Sequence, residues 1–393
     1  MKKIISMFLI LLFLFPSIVL ASDTVLVNNE VTDIASNAKS AILIEATTGK
    51  IIYEKNSHEK LAPASMTKIM SMLLIMENID KGVIKWEDKV TASPNASGMG
   101  GSQILLETGE QMTVYDMFKG VAVASGNDAV VALSEYVAGS EEEFVNLMNQ
   151  KVKELGLKDT VFKNPHGLDE ANHYSSAYDM AMIAKELVKY EKVFEFTSIY
   201  EDYLRKGTDR ELWLVNTNKL VRFNPIVDGL KTGYTKEAGY CLTATAKKNN
   251  MRLISVVMGE PDTKTRSSET TSLLDYGFAK YKAETLVTKT TVIDKLKIEK
   301  ASNKSVDIVT INDYSVITEK TNKIGKITYE LKLNNLKLPI KKGDKVGTLI
   351  IKEDNKKVTE VDVTIKENLK RANILELYGT YLKSILNGNI NFK

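Results

Sequence analysis

At 393 residues the chain is long enough for two domains or three. Its 44% hydrophobic and 26% charged residues exclude a disordered polymer, and a formal charge of only +3 excludes the basic stripe of a nucleic-acid-binding protein. A single cysteine, Cys241, excludes an intrachain disulfide framework; within Gly239–Ala246 it reads as a small buried apolar residue of a strand.

In chain order, Lys2 and Lys3 precede an apolar run from Ile4 to Phe15, then Pro16 and the small-residue end Val19-Leu20-Ala21. This predicts a secretory signal peptide over residues 1–21, cleaved after Ala21. The alternative, an uncleaved anchor, requires a longer unbroken run. Export would place the chain at the outer face of the cytoplasmic membrane or in the cell-wall space. Residues 22–38 are polar and mixed. Ala41–Glu45 and Ile51–Lys55 flank a Gly-bearing turn and predict a hairpin. Pro63-Ala64 lead into Ser65, and the apolar run Ile69–Ile79 predicts a buried helix ending near Lys81-Gly82. Helical spacing recurs over Val114–Val123, Ala129–Val137, Phe144–Leu155 and Ser176–Val188. Strands are predicted at Tyr240–Ala246 and Arg252–Met258, and a closing helix at Ser267–Tyr281.

The pattern changes near Leu286. Short strands are predicted at 290–293, 306–311, 326–333, 346–351 and 358–365, a small β-sandwich-like domain over 286–366 after a first domain over 22–285. Residues 367–393 form a separate tail. On a helical wheel Leu375, Leu377, Tyr378, Tyr381, Leu382, Ile385 and Leu386 share one face, with Lys370 and Arg371 at the start. Such a helix can lie in a membrane surface, or pack on its own protein or a partner.

Three motifs carry the chemistry: Ser65-Met66-Thr67-Lys68, Ser125-Gly126-Asn127 and Lys231-Thr232-Gly233. In this order, 60 and 106 residues apart, they match the set known from β-lactamases and penicillin-binding proteins. The chain resembles the D-alanyl-D-alanine carboxypeptidases, low-molecular-weight penicillin-binding proteins, closely over residues 36–290. The resemblance implies a mixed α/β (α+β) transpeptidase-like fold, with a central antiparallel sheet flanked by helices and a β-rich domain behind it. It implies removal of the terminal D-alanine from peptidoglycan stem peptides, inhibition by β-lactams, no metal and no cofactor. It also favours a membrane role for the tail.

A serine hydroxyl needs a base. Ser65 at a helix start places Lys68 one turn on, and a lysine acts as base only when neutral. Burial and a second cation, Lys231, would lower its pKa. Backbone N–H groups at that helix start, and on the strand after Gly233, are candidates to hold the oxyanion. Ser125 and Asn127 would form the opposite wall, Ser125 relaying a proton and Asn127 holding Lys68 and the substrate backbone. Lys231 and Thr232 would bind the terminal carboxylate. Gly233 would let the acyl chain lie along its strand. Arg266 matches the family position that helps recognise that carboxylate; it also reads as a surface arginine. Asn164–Asp169 matches a family segment whose role is not evident in the sequence.

Three other readings compete. A class A-type β-lactamase would need an added glutamate, with Glu170 one candidate. A zinc peptidase would draw on His166, Asp169 and His173. A non-catalytic β-lactam or wall-binding sensor would not need all three motifs intact.

Overall fold

The computed structural model describes residues 33–386, apart from 299, 304 and 323. The predicted signal peptide, most of the leader and residues 387–393 lie outside the described residues.

A five-stranded antiparallel sheet forms the centre of the first domain. Its spatial order is Ile51–Lys55, Ser40–Glu45, Met251–Glu260, Gly239–Lys248 and Val227–Thr235. Successive side chains on a strand point to opposite faces. Ile42, Ile44, Ile254, Val256 and Met258 therefore pack into one core, while Ala41, Leu43, Leu253 and Val257 pack into another. The three inner strands are buried on both faces over most of their length, which is why they do not read as strict apolar–polar alternation.

The first core is covered by helices Lys68–Asp80, Val114–Ala124, Asn127–Ala138, Glu141–Glu154 and Ala177–Leu187. The Lys68 helix is buried all round over its first nine residues, as its unbroken apolar sequence requires. Its chain turns away at Gly82, in the left-handed region at φ +71°. The opposite face is covered by Thr263–Lys280. Asp262 caps that helix, accepting from Lys264 N and Thr265 N at 2.8 Å. The helix starts four residues before the predicted Ser267, and this puts Arg266 in its first turn.

The second domain contains a five-stranded antiparallel sheet ordered Val292–Leu296, Val306–Thr310, Lys356–Ile365, Gly347–Glu353 and Ile327–Leu333. Two strands absent from the sequence reading, Tyr281–Val287 and Tyr314–Glu319, pair with each other across the predicted boundary at 285. Ile317 also packs in the core beneath the Arg266 helix. At the far end the β domain runs past residue 366: Leu369 is buried, and Ile340 N donates to Leu369 O at 2.9 Å. The tail helix is Ile374–Leu386.

Candidate active site

Ser65 lies in a single 3₁₀ turn, Ala64–Thr67, immediately before the Lys68 helix. Ala64 is held at φ +46°, a conformation that costs energy for a residue with a side chain. Packing explains how the turn is kept. A Cβ on Gly233 would lie 2.8 Å from Pro63 O and 3.1 Å from Ala64 Cβ, so glycine lets the Lys231 strand close against the nucleophile's turn. This is a packing demand beside the sequence expectation, in which Gly233 makes room for the substrate; Gly233 also lines the cleft. Lys231-Thr232-Gly233 lie inside the strand Val227–Thr235 rather than ahead of one.

Lys68 is fully buried. Its Nζ donates to Asn127 Oδ1 and to His166 O, each at 2.6 Å, and lies 3.0 Å from Ser65 Oγ. A neutral amine has two N–H donors and one lone pair. In that form the two closest acceptors would take the two donors and leave the lone pair for the serine hydroxyl. Burial pushes the Lys68 pKa well below its usual value, the neighbouring Lys231 pushes it further, and Asp128 opposes both. Lys231 is itself lowered to about 7, by burial first and then by Arg266.

Two helices meet at the second motif. The helix Val114–Ala124 ends on Ser125 in the left-handed region, φ +64°, and the next begins at Asn127. Ser125 Oγ is buried without a hydrogen-bond partner among the described residues. Asn127 Nδ2 donates to Gly100 O at 2.7 Å, which orients the amide so that Oδ1 faces Lys68.

The Asn164–Asp169 segment, unassigned from sequence, proves to be the floor beneath Lys68. Asn164 Oδ1 accepts from Gly167 N at 2.7 Å, and Gly167 has φ +89°. A Cβ there would fall 1.9 Å from Ala64 O. The group that serves Lys68 is the His166 main-chain carbonyl, and a main-chain atom leaves no side-chain signature in a sequence. His166 Nδ1 accepts from Leu168 N, and its Nε2 lies 3.5 Å from Glu141 Oε1. His173 Nδ1 accepts from Lys163 N and its Nε2 is 2.8 Å from Thr67 Oγ1; burial lowers its pKa to about 4. The ring nitrogens that a zinc reading would use as ligands are thus engaged within the protein. Glu170 Oε2 accepts from Asn164 Nδ2 at 3.1 Å rather than facing Ser65.

Ser65, Ser125, Thr232, Gly233 and Arg266 line one cleft of about 590 Å³. Arg266 is buried, and its Nε has no partner among the described residues. Thr232 Oγ1 donates to Thr217 Oγ1 at 2.7 Å, a contact the sequence did not reveal. Cys241 is buried on the neighbouring strand and its thiol is pushed up to about 11 by burial, as an inert apolar residue would be.

A serine hydroxyl 3.0 Å from the amine of a fully buried lysine, in a cleft that Arg266 also lines, is the arrangement of a serine-type acyl-transfer enzyme. Known proteins narrow this class. Residues 27–262 match the family model for D-alanyl-D-alanine carboxypeptidases, and residues 281–371 match that for the C-terminal domain of penicillin-binding protein 5. The chain is 51% identical to D-alanyl-D-alanine carboxypeptidase DacF of Bacillus subtilis, over all of both chains. It is 36% identical to DacC of Escherichia coli over 86% of this chain and 85% of that one. Penicillin-binding protein 5 from Haemophilus influenzae superposes with a TM-score of 0.67 at 34% identity, covering 85% of this chain and 98% of the other. Penicillin-binding protein D2 from Listeria monocytogenes, in its cefotaxime-bound form, superposes with a TM-score of 0.56 at 29% identity, covering 62% and 97%. The chain belongs to the D-alanyl-D-alanine carboxypeptidase family of serine hydrolases.

Proposed function

We propose that Ser65 is the acylated nucleophile and Lys68 its base in the release of D-alanine from stem peptides ending in D-Ala-D-Ala. The observation that supports this most directly is the Lys68 amine, whose two shortest hydrogen bonds go to Asn127 Oδ1 and His166 O while Ser65 Oγ lies within reach. Lys68 takes the serine proton as Oγ attacks the penultimate carbonyl. Backbone N–H groups of the Ser65 turn and of the strand beyond Gly233 hold the oxyanion. Ser125 passes the proton to the departing amine, and water then hydrolyses the ester. Thr232, Arg266 and Lys231 hold the substrate carboxylate, Arg266 through its planar fork. β-Lactams, which also carry a carboxylate beside an acylating carbonyl, would enter the same cleft and acylate Ser65. A fast β-lactamase reading needs a carboxylate to activate water, and the cleft lining includes none. Ser65→Ala should abolish both D-alanine release and covalent labelling by a fluorescent penicillin; labelling at unchanged stoichiometry would refute the assignment.

The same proposal places the enzyme outside the cell. The basic and apolar N-terminus supports export, and the tail helix supports contact with a membrane surface. Ile374, Leu375, Tyr378, Leu382, Ile385 and Leu386 are all exposed on it. No helix among the described residues is long and apolar enough to cross a membrane.

A further inference from the structure

The two acceptors of the Lys68 amine lie on different parts of the chain, and one carboxylate outside the cleft connects them. Asn127 presents Oδ1 to Lys68 while its Nδ2 is held by Gly100 O at 2.7 Å. Gly100 follows the short helix Pro94–Ser97, whose Asn95 Nδ2 donates to Glu135 Oε1 at 3.0 Å and to Glu141 Oε2 at 2.9 Å. Glu135 stands on the helix that Asn127 begins, and Glu141 is the first residue of the next helix. The other oxygen, Glu141 Oε1, lies 3.5 Å from His166 Nε2. His166 Nδ1 accepts from Leu168 N, so the neutral ring carries its proton on Nε2, facing that oxygen. His166 is buried, and its carbonyl is the second acceptor of Lys68. The contact with His166 holds the Glu141 carboxyl below its usual range, against burial and with help from Asn95. Glu141 lines a groove of about 710 Å³ with Asn95, Glu135 and Lys163, and that groove shares no lining residue with the catalytic cleft.

We propose that Glu141 is a positioning residue for acylation: one carboxylate oxygen braces the turn that carries His166 O, and the other braces, through Asn95, the segment that carries Gly100 O. The carboxylate thereby sets both acceptors of the Lys68 amine, and with them the place of that amine relative to Ser65 Oγ. The inference rests on the base role of Lys68 given above. The link includes neither the Val227–Thr235 strand nor the Thr263–Lys280 helix, on which Thr232 and Arg266 stand. Loss of Glu141 should therefore slow the chemical step and leave ligand binding unchanged.

The test measures, on the full chain, the dissociation constant and the acylation rate constant of a fluorescent penicillin separately. Glu141→Ala should lower the acylation rate constant by about 10-fold, since a shift of about 1 Å at a reacting centre can cost about 100-fold and a smaller one proportionately less. The dissociation constant should change by less than about two-fold. Labelling should still reach the stoichiometry of the unaltered chain, which a misfolded fraction would lower. Glu141→Gln keeps a carbonyl oxygen for one of the two contacts and should recover part of the rate. Glu142→Ala removes the same charge from the same helix turn, at a side chain without a hydrogen bond or ion pair among the described residues, and should acylate normally. Normal acylation by Glu141→Ala would overturn the proposal. So would a loss confined to binding, equal slowing in Glu142→Ala, or a glutamine variant no faster than the alanine one. Normal acylation by Lys68→Arg would overturn the base role and the proposal with it, whereas a slow Lys68→Arg beside a normal Glu141→Ala would strike the proposal alone.

Discussion

At Lys68 burial and charge act in the same direction. Moving an ammonium out of water costs several kcal/mol, more than one neighbouring carboxylate such as Asp128 offsets. The neutral amine is therefore favoured far more than at a surface lysine, and only the neutral form could take the Ser65 proton in the proposed mechanism. Because deprotonation creates the active form, kcat/KM for D-alanine release should rise with pH through the Lys68 pKa. Because that pKa is depressed, the rise should be complete well below 10.5. Lys68→Arg keeps a charge that cannot be removed. It should slow acylation by about 100-fold or more at every pH, measured by penicillin labelling. Near-normal acylation in that variant would remove Lys68 from the base role.

At the scale of elements, the site combines helix starts and a strand with three turns, at Ser65, Ser125 and Asn164–Asp169. Helices such as Val114–Ala124 and Ala177–Leu187 were legible because apolar residues recur at helical spacing on their buried faces. The strands Tyr281–Val287 and Tyr314–Glu319 were not, because they mix charged, polar and apolar residues and are mostly only part-buried. The Asn164–Leu168 turn was visible as a segment but not as a function, since its contribution to Lys68 is a carbonyl oxygen. Gly167→Ala tests that contribution. Its left-handed φ alone costs about 1–2 kcal/mol for a residue with a Cβ, and the clash with Ala64 O must move one of the two turns. Displacements near 1 Å at a reacting centre can cost about 100-fold, so acylation should fall by at least about 10-fold along with the melting temperature. A variant that melts lower but acylates normally would detach the turn from the chemistry.

For the whole molecule, the tail is the separable part. Leu369 is 1% exposed against the β domain, whereas Ile374 and Leu375 are 84% and 81% exposed. A cut after Asn373 thus removes the helix and spares the domain; one after Ile365 would strip Leu369 from its core. The shortened chain should be as active on small peptides as the full one, since every residue of the proposed site lies at or before Arg266. Burial of apolar surface contributes about 25 cal/mol per Å², so a few large side chains suffice for peripheral attachment to a bilayer. The full chain should co-sediment with anionic vesicles, and changing Leu377, Leu382 and Ile385 together to Asp should release it. A full chain that stays in the supernatant at low salt would make the tail a packing or partner helix.

The sequence by itself determined the family, because a serine, a lysine three residues on and a Lys-Thr-Gly run are side-chain identities at set spacings. It also determined most of the helices, the buried strands and the change to β structure near Leu286, since burial leaves a period in the residue pattern. Only the tertiary structure decided why Gly233 must be glycine, that Asn127 is oriented by Gly100 O, and that Arg266 starts a helix at the cleft. It also decided that His166 serves Lys68 through its main chain. These depend on atoms brought together across long stretches of chain: main-chain carbonyls that every residue carries, and the space left where a Cβ is missing.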